Sequence, residues 1–198
     1  MESQSQVSMR RAHDVIVIGG GSAGYAAART ARDAGADVAI VDQGPLGGLC
    51  ILRGCMPTKA ILRSAEVAAL FRRAKEFGLS PVSAQPDLSA IVDRKDRLVR
   101  EFADYRIQQL HDPRFTLYQS RAVFRSPREI TVGDSVLSAR SFILATGSRP
   151  SEVPIPGLVQ AGYFTSDTIL DLRTQPASLI VLGGGAIALE LGQFFARL

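Results

Sequence analysis

The apolar positions fall first into short unbroken runs and then into helical periods. Val15 to Ile18 is a β-branched run with no polar residue, the pattern of a strand buried on both faces. It enters Gly19-Gly20-Gly21-Ser22-Ala23-Gly24 directly. The Ala-rich stretch Ala26 to Ala34 favours helix, and Asp37 to Val41 predicts a second strand that ends at Asp42. Strand, glycine turn, helix, strand and acid make one βαβ unit, with a right-handed crossover expected. From Pro57 to Phe77 the residues Ile61, Leu62, Ala65, Ala68, Ala69 and Phe77 share one helical face, and Gly78-Leu79-Ser80-Pro81 breaks it. A longer helix is predicted over Leu88 to Leu110, with Ile91, Leu98, Phe102 and Ile107 as apolar positions and Asp112-Pro113 as its stop. The period then becomes alternating. Phe115 to Gln119, Ala122 to Phe124, Glu129 to Val132 and Val136 to Leu137 predict the short strands of a β-meander. Ser141 to Thr146 predicts another buried strand.

Ser148 to Leu158 carries three prolines in eleven residues and is expected to be a stiff linker. Ser166-Asp167 is expected to cap a short helix running through Leu172. Leu179 to Leu182 predicts a third buried strand, feeding Gly183-Gly184-Gly185 and a helix over Ala186 to Leu198. A second βαβ unit thus begins and stops after one helix, so the chain is expected to be a fragment.

Composition adds few constraints. The 198 residues, 46% hydrophobic and 21% charged, suit one core, or one domain and the start of another. The net charge of +4 is carried mostly by arginine, and between Asp93 and Arg106 the arginines alternate with Asp93, Asp96, Glu101 and Asp104. That is the pattern of a solvated helix face, and no nucleic-acid partner is expected. No stretch approaches the ~20 apolar residues of a membrane helix, so no membrane partner is expected either. The first residues, MESQSQVSMRRAHD, lack the apolar core of a signal peptide. Residues 1–11 are expected to be a disordered tail and the protein cytoplasmic.

Three constellations carry chemistry. In Gly19-x-Gly21-x-x-Gly24, the glycines permit a tight turn, close approach of a pyrophosphate, and close helix–strand packing. Asp42, 18 residues past Gly24, is placed to take ribose hydroxyls. Gly183-x-Gly185-x-x-Ala188 repeats the pattern after the third strand, and two such fingerprints suggest two dinucleotides. The third constellation is Gly47 to Lys59, GGLCILRGCMPTK, which holds both cysteines, Cys50 and Cys55. This is not the CxxC spacing of a zinc site, no metal is expected, and His13 and His111 are read as surface histidines. A helix starting near Cys55 would favour its thiolate, and Lys59 adds positive charge one turn on. An inert buried pair fits the same spacing. Spacing alone leaves both open.

Four stretches together resemble one family. GGLCILRGCMPTK is similar to the redox-disulfide signature of the flavin-dependent pyridine nucleotide–disulfide oxidoreductases, which include dihydrolipoamide dehydrogenase, glutathione reductase and mercuric reductase. HDVIVIGGGSAGYAAA resembles their FAD fingerprint, ILATGSRP their second FAD motif, and LIVLGGGAIALELG the start of their nicotinamide-binding domain. The resemblance implies an α/β fold. Residues 12–150 would form the first segment of a Rossmann-like FAD-binding domain with parallel sheet and β-meander, and 151–175 a linker and short helix. Residues 176–198 would be the truncated start of a second Rossmann-like, NAD(P)-binding domain. It also implies FAD as cofactor and NAD(P)H as co-substrate. FAD contacts fall on Gly19, Gly21, Ser22, Ala23, Gly24, Asp42, Gly48, Lys59, Ala145, Thr146 and Gly147, and nicotinamide-nucleotide contacts on Gly183, Gly185 and Ala188.

By the same resemblance, Cys50 is the interchange thiol and Cys55 the charge-transfer thiolate nearer the flavin. Lys59 pairs with a glutamate matched by Glu190. Electrons would pass from NAD(P)H through FAD to a Cys50–Cys55 disulfide, then to a disulfide or related acceptor, most like dihydrolipoamide dehydrogenase. The alternatives are a reductase of a metal ion or quinone on the same fold, or a non-catalytic FAD-binding fragment. The chain departs from the pattern at Leu49, usually Thr, at Leu52, usually Asn, at Thr58, usually Ser, and at Asp42, where Glu is commoner. Ala186 stands where glutathione reductases carry an aromatic residue, which argues against that branch. The family's dimerisation domain and its His–Glu pair, donated by the partner subunit, are expected to lie beyond Leu198. The full-length form is therefore expected to be a homodimer and the 198-residue chain alone inactive.

Overall fold

The computed structural model describes residues 10–80, 83 and 85–198. In chain order its elements are β1 (Arg10–Ile18), α1 (Ser22–Asp33), β2 (Val38–Val41), α2 (Leu49–Leu52), α3 (Cys55–Arg72), α4 (Leu88–Leu110), β3 (Thr116–Tyr118), β4 (Ala122–Ser126), β5 (Glu129–Val132), β6 (Ser135–Leu144), α5 (Leu158–Ala161) and α6 (Ala186–Arg197), with 3₁₀ turns at Ala74–Phe77 and Ile169–Asp171. They divide into two compact units, Met1–Cys50 with Phe102–Ser148, and Ile51–Glu101 with Arg149–Leu198.

The first unit is a mixed α/β fold on one six-stranded sheet, ordered β3-β2-β1-β6-β5-β4. The four strands β3, β2, β1 and β6 run parallel, while β4 and β5 join antiparallel. The run Val15 to Ile18 explains the centre. Ile16 and Val17 point to opposite faces and both are fully buried. Ile16 packs with Ala39, Val41, Ile130 and Leu137, and Val17 with Ala28 of α1, Val38, Ile40, Leu110 and Phe115. A sheet covered on both sides needs unbroken apolar strands, and β2 is buried at all four positions.

Three readings change in the first unit. β1 begins at Arg10, so the expected tail over 1–11 overlaps two strand residues, because the backbone ladder with β6 starts at Arg10↔Val136 regardless of side-chain polarity; residues 1–9 lie outside the described residues. Phe115 to Gln119 is not a meander strand: β3 pairs parallel to β2, Ala39↔Thr116 through Val41↔Tyr118. Val136–Leu137 and Ser141–Thr146 are one strand, β6. Its interior Ser138, Arg140 and Ser141 break the apolar pattern, while the backbone pairs with β1 throughout and with β5 at its start. Between α4 and β3 the chain turns at Asp112, whose carboxylate accepts bonds from the side chain and backbone N–H of Arg114. Those bonds hold this carboxyl well below the usual range.

The second unit is helical. Ile61 and Ala65 of α3, Leu88 and Val92 of α4, Ile169, Leu170, and Leu191 and Phe194 of α6 form its core. Each helix contributes residues three or four apart, which is the spacing that brings side chains onto one face. Lys95 of α4 is buried among them, and its ammonium bonds Asp96 and Asp171. The helix expected through Leu172 is only the 3₁₀ turn at Ile169–Asp171, and its entry is fixed by Thr165 and Thr168 rather than by Ser166-Asp167. Thr168 Oγ1 accepts from Thr165 N–H at 2.8 Å, and Thr165 Oγ1 accepts from Asp167 N–H at 3.3 Å.

Leu179 to Leu182 forms no strand. Its residues are 41, 88, 43 and 59% exposed. A parallel strand exists through the backbone groups of its neighbours. All strands among the described residues belong to the sheet of the first unit.

Candidate functional site

In the first unit the ends of three strands are tied at one edge. The N–H of Gly19 donates to Val41 O of β2 at 2.8 Å, and the N–H of Ala145, just past β6, donates to Ile18 O at 2.8 Å. From β1 the chain crosses through α1 to β2 on one side, while β6 flanks β1 on the other. Gly19 and Ala145-Thr146-Gly147 therefore border the crevice at the carboxyl ends of two strands where the order reverses, the place where open α/β sheets bind ligands.

Two backbone contacts shape this edge. A Cβ on Gly24 would lie 1.7 Å from Gly19 O, so only glycine lets α1 start against the strand end. A Cβ on Gly48 (φ +77°) would lie 2.4 Å from Gly21 Cα, so the two backbones touch. Gly21 is the N-cap of α1. No side chain caps this helix and its first turn carries no acid, which leaves the positive end of a 12-residue helix open to an anion. Ser22 and Ala23 are exposed in that turn.

Asp42 sits at the end of β2 as expected, yet it is already engaged. Its Oδ2 accepts the Gly20 N–H at 2.5 Å and its Oδ1 the Gly44 N–H at 2.7 Å. The acid clamps the glycine turn to the segment after β2, and each oxygen retains a lone pair for a hydroxyl. The last turns of α4 back the same turn. Leu110, fully buried, packs toward Gly20, and the Arg106 guanidinium lies over the Tyr25 ring at 4.4 Å with Nη1 3.5 Å from Gly21 O. Nothing in the sequence pattern of α4 marked Arg106. Its place in the site depends on the helix crossing the glycine turn. His13, expected at the surface, has a side chain only 6% exposed because its Nδ1 pairs with Asp37 at 2.9 Å and its ring meets Tyr118 edge-on.

Cys50, in α2, is half-buried, whereas Cys55, the first residue of α3, is exposed. In the second unit Thr58 holds the start of α3, its Oγ1 donating to Gly54 O at 2.8 Å beside the buried Pro57. One turn past Cys55 the ammonium of Lys59 forms an ion pair with Glu190 of α6, so the structure brings these two together. Gly183, Gly185 and Ala188 stand at the entry to α6, but no strand precedes them. A Cβ on Gly183 or Gly185 would meet nothing within 4 Å. The second fingerprint thus has its turn and helix but not the strand that completes such a cradle.

The profile of the family described as pyridine nucleotide-disulphide oxidoreductase matches residues 13–198. The chain belongs to this family. Among the oxidoreductases of the family, a mercuric reductase of Lysinibacillus sphaericus is 36% identical over 187 residues, covering 94% of this chain and 34% of that protein. A dihydrolipoyl dehydrogenase of Chlamydia muridarum (strain MoPn / Nigg) is 37% identical over 195 residues, covering 96% of this chain and 42% of that protein. Among solved structures, the HOCl-induced flavoprotein disulfide reductase RclA from Escherichia coli superposes with a TM-score of 0.78 at 28% identity, over 93% of this chain and 40% of that one. The chain therefore spans between a third and about two fifths of the length of these oxidoreductases. Among its described residues no helix is long and apolar enough to cross a membrane.

Proposed function

We propose that this chain serves an FAD-dependent NAD(P)H oxidoreductase that delivers electrons through Cys50 and Cys55 to a disulfide acceptor, with dihydrolipoamide dehydrogenase as its nearest functional likeness. The observation that carries the reading is the Lys59–Glu190 ion pair, set one turn past Cys55. A lysine and a glutamate 131 residues apart in sequence meet beside a cysteine at a helix start, an arrangement that packing alone does not require.

The residues of the first unit fit a dinucleotide. The Gly21–Gly48 contact leaves bare backbone at the open N-terminus of α1, where a diphosphate can approach, and Asp42 retains acceptor capacity for a ribose. Gly19, Gly21, Ser22, Ala23, Gly24, Asp42 and Gly48, with Ala145, Thr146 and Gly147, would hold the adenine-nucleotide half, and Lys59 would face the flavin. Bound FAD would supply a two-electron carrier between the nicotinamide and the cysteine pair. Gly183, Gly185 and Ala188 would take the nicotinamide nucleotide's phosphates. In domain terms we read residues 12–150 as FAD-binding, 151–175 as connecting and 176–198 as the beginning of the NAD(P)-binding part.

The cysteines act by thiol exchange. The Cys50 thiolate attacks one sulfur of the substrate disulfide, forming a Cys50–substrate S–S bond as the other substrate sulfur leaves and takes up a proton. The Cys55 thiolate then attacks Cys50, closing Cys50–Cys55 and releasing the second substrate thiol, also protonated. Two electrons taken from NAD(P)H restore the pair. Cys55, at the N-terminus of an 18-residue helix, has the field that favours a thiolate. We further read the whole enzyme as a cytoplasmic homodimer with no nucleic-acid or membrane partner, its acid–base pair supplied by the second subunit.

Dithionite reduction of the flavin-loaded protein tests the roles. A long-wavelength absorbance band is expected, lost in Cys55→Ser and kept in Cys50→Ser. A band that survives Cys55→Ser overturns the assignment, and a protein that takes up no flavin overturns the reading. The mercuric reductases at 36% identity favour a second reading, in which two soft thiolates take a thiophilic metal ion as substrate. NAD(P)H oxidation driven by such an ion but not by a disulfide would select it.

A further inference from the structure

We infer that Arg106 is a binding residue for the diphosphate of the dinucleotide, reaching it from α4 across the glycine turn. The inference rests on the dinucleotide reading above and extends it to a residue outside every motif of the sequence.

Four observations converge on this side chain. Arg106 and Leu110 lie one turn apart on α4 and face consecutive glycines, with Leu110 at Gly20 and Arg106 at Gly21. The guanidinium carbon lies over the Tyr25 ring, 4.4 Å from its centroid, a cation–π contact that restrains the side chain in advance. Its donors are nearly unused. Nη1 is 3.5 Å from Gly21 O, a carbonyl that already accepts the Tyr25 N–H at 2.8 Å, and Nε is buried with no partner. A guanidinium has five N–H donors, and leaving a buried one unmade is unfavourable. Finally, this cation stands beside the positive end of α1, which has neither an acid in its first turn nor a side-chain cap. Two positive features side by side repel unless an anion lies between them. A diphosphate supplies that anion, takes the spare donors in a planar fork, and is the group a glycine turn of this kind admits.

The competing account is that Arg106 only props Tyr25 and the end of α4. In that case its loss lowers stability and leaves ligand affinity alone. The measurement is the Kd of the flavin-free chain for FAD, by flavin fluorescence, and for ADP, by calorimetry, in wild type, Arg106→Met and Arg106→Lys. Met keeps an apolar stem over Tyr25, and Lys keeps the charge without the fork. We expect Arg106→Met to weaken both FAD and ADP by about tenfold or more, as for loss of hydrogen bonds to a charged group. Arg106→Lys should fall between, with the melting temperature of the ligand-free chain little changed in either. Should Arg106→Met unfold the chain, the Lys variant carries the test alone. FAD and ADP affinities within twofold of wild type in the folded variants would overturn the inference while leaving the dinucleotide reading intact. A wild-type chain that binds neither ligand overturns both.

Discussion

Adding one methyl group to Gly24 sets two effects against each other. In a helix interior, Gly→Ala is worth roughly 1 kcal/mol in favour of the helix. Here the new carbon would sit 1.7 Å from Gly19 O, a backbone atom that cannot move without breaking the β1–β2 tie. The clash wins, and Gly24→Ala is expected to cost about 3 kcal/mol or more. The contrast at the second fingerprint is Gly185→Ala, at the place Gly21 holds in the first, where φ is −75° and nothing lies within 4 Å, so the loss should stay within about 1 kcal/mol. Urea midpoints at unchanged m-value compare the two, and equal losses would contradict the contrast. The sequence has Ala188 where the first motif has Gly24, but it cannot show the contact with Gly19 O that makes glycine necessary there. Residue types and spacing exposed the glycines, Asp42, both cysteines and Lys59, and the family resemblance added Glu190. The clamp of Asp42 on Gly20 and Gly44, and the approach of Arg106, depend on which segments meet, and single-chain patterning carries no record of that.

Helices were the more legible elements. The helix α4 runs from Leu88 to Leu110 as read from the sequence, where Asp112-Pro113 marks its stop. Strands were less legible, although β2 and β5 fell where an unbroken apolar run and a clean alternation put them. β6 was split in two by its polar middle, and the four-residue α2 has no period to detect. The α3–α6 contact joins a packing role to a polar one, and the two separate by mutation. Phe194 is 1% exposed in the core of the second unit, so Phe194→Ala is expected to cost roughly 3–5 kcal/mol. The Lys59–Glu190 pair, whose glutamate shares α6 with Phe194, is partly exposed, 57% and 37% by side chain, and such pairs contribute at most about 1 kcal/mol. Glu190→Gln should therefore leave the unfolding midpoint nearly unchanged. Chemical denaturation of both variants checks this, and a Glu190→Gln loss as large as that of Phe194→Ala would make the pair a structural element and remove the argument for its functional role.

At the scale of the whole molecule the chain starts the same construction twice and completes it once. Val15 to Ile18 and Leu179 to Leu182 are equally apolar and both lead into a triple glycine and a helix. The first is flanked by β2 and β6, covered on both faces, and fully buried at Ile16 and Val17. The second has no strand neighbour among the described residues and stands exposed. What separates them is long-range pairing, which local composition cannot encode, and its consequence is a steep gradient in local stability. Amides that are paired in a central strand open only by sub-global or global unfolding, whereas those in an unpaired segment exchange with little protection. Hydrogen exchange read by mass spectrometry should find the peptides of β1 and β2 slowest in the chain. Those over residues 179–185 should be labelled within the earliest time points. Protection of 179–182 equal to that of β1 would mean that the segment has acquired strand partners in solution. Dilution would then decide their origin, since protection lent by a second copy of the chain falls with concentration while protection from within the chain does not.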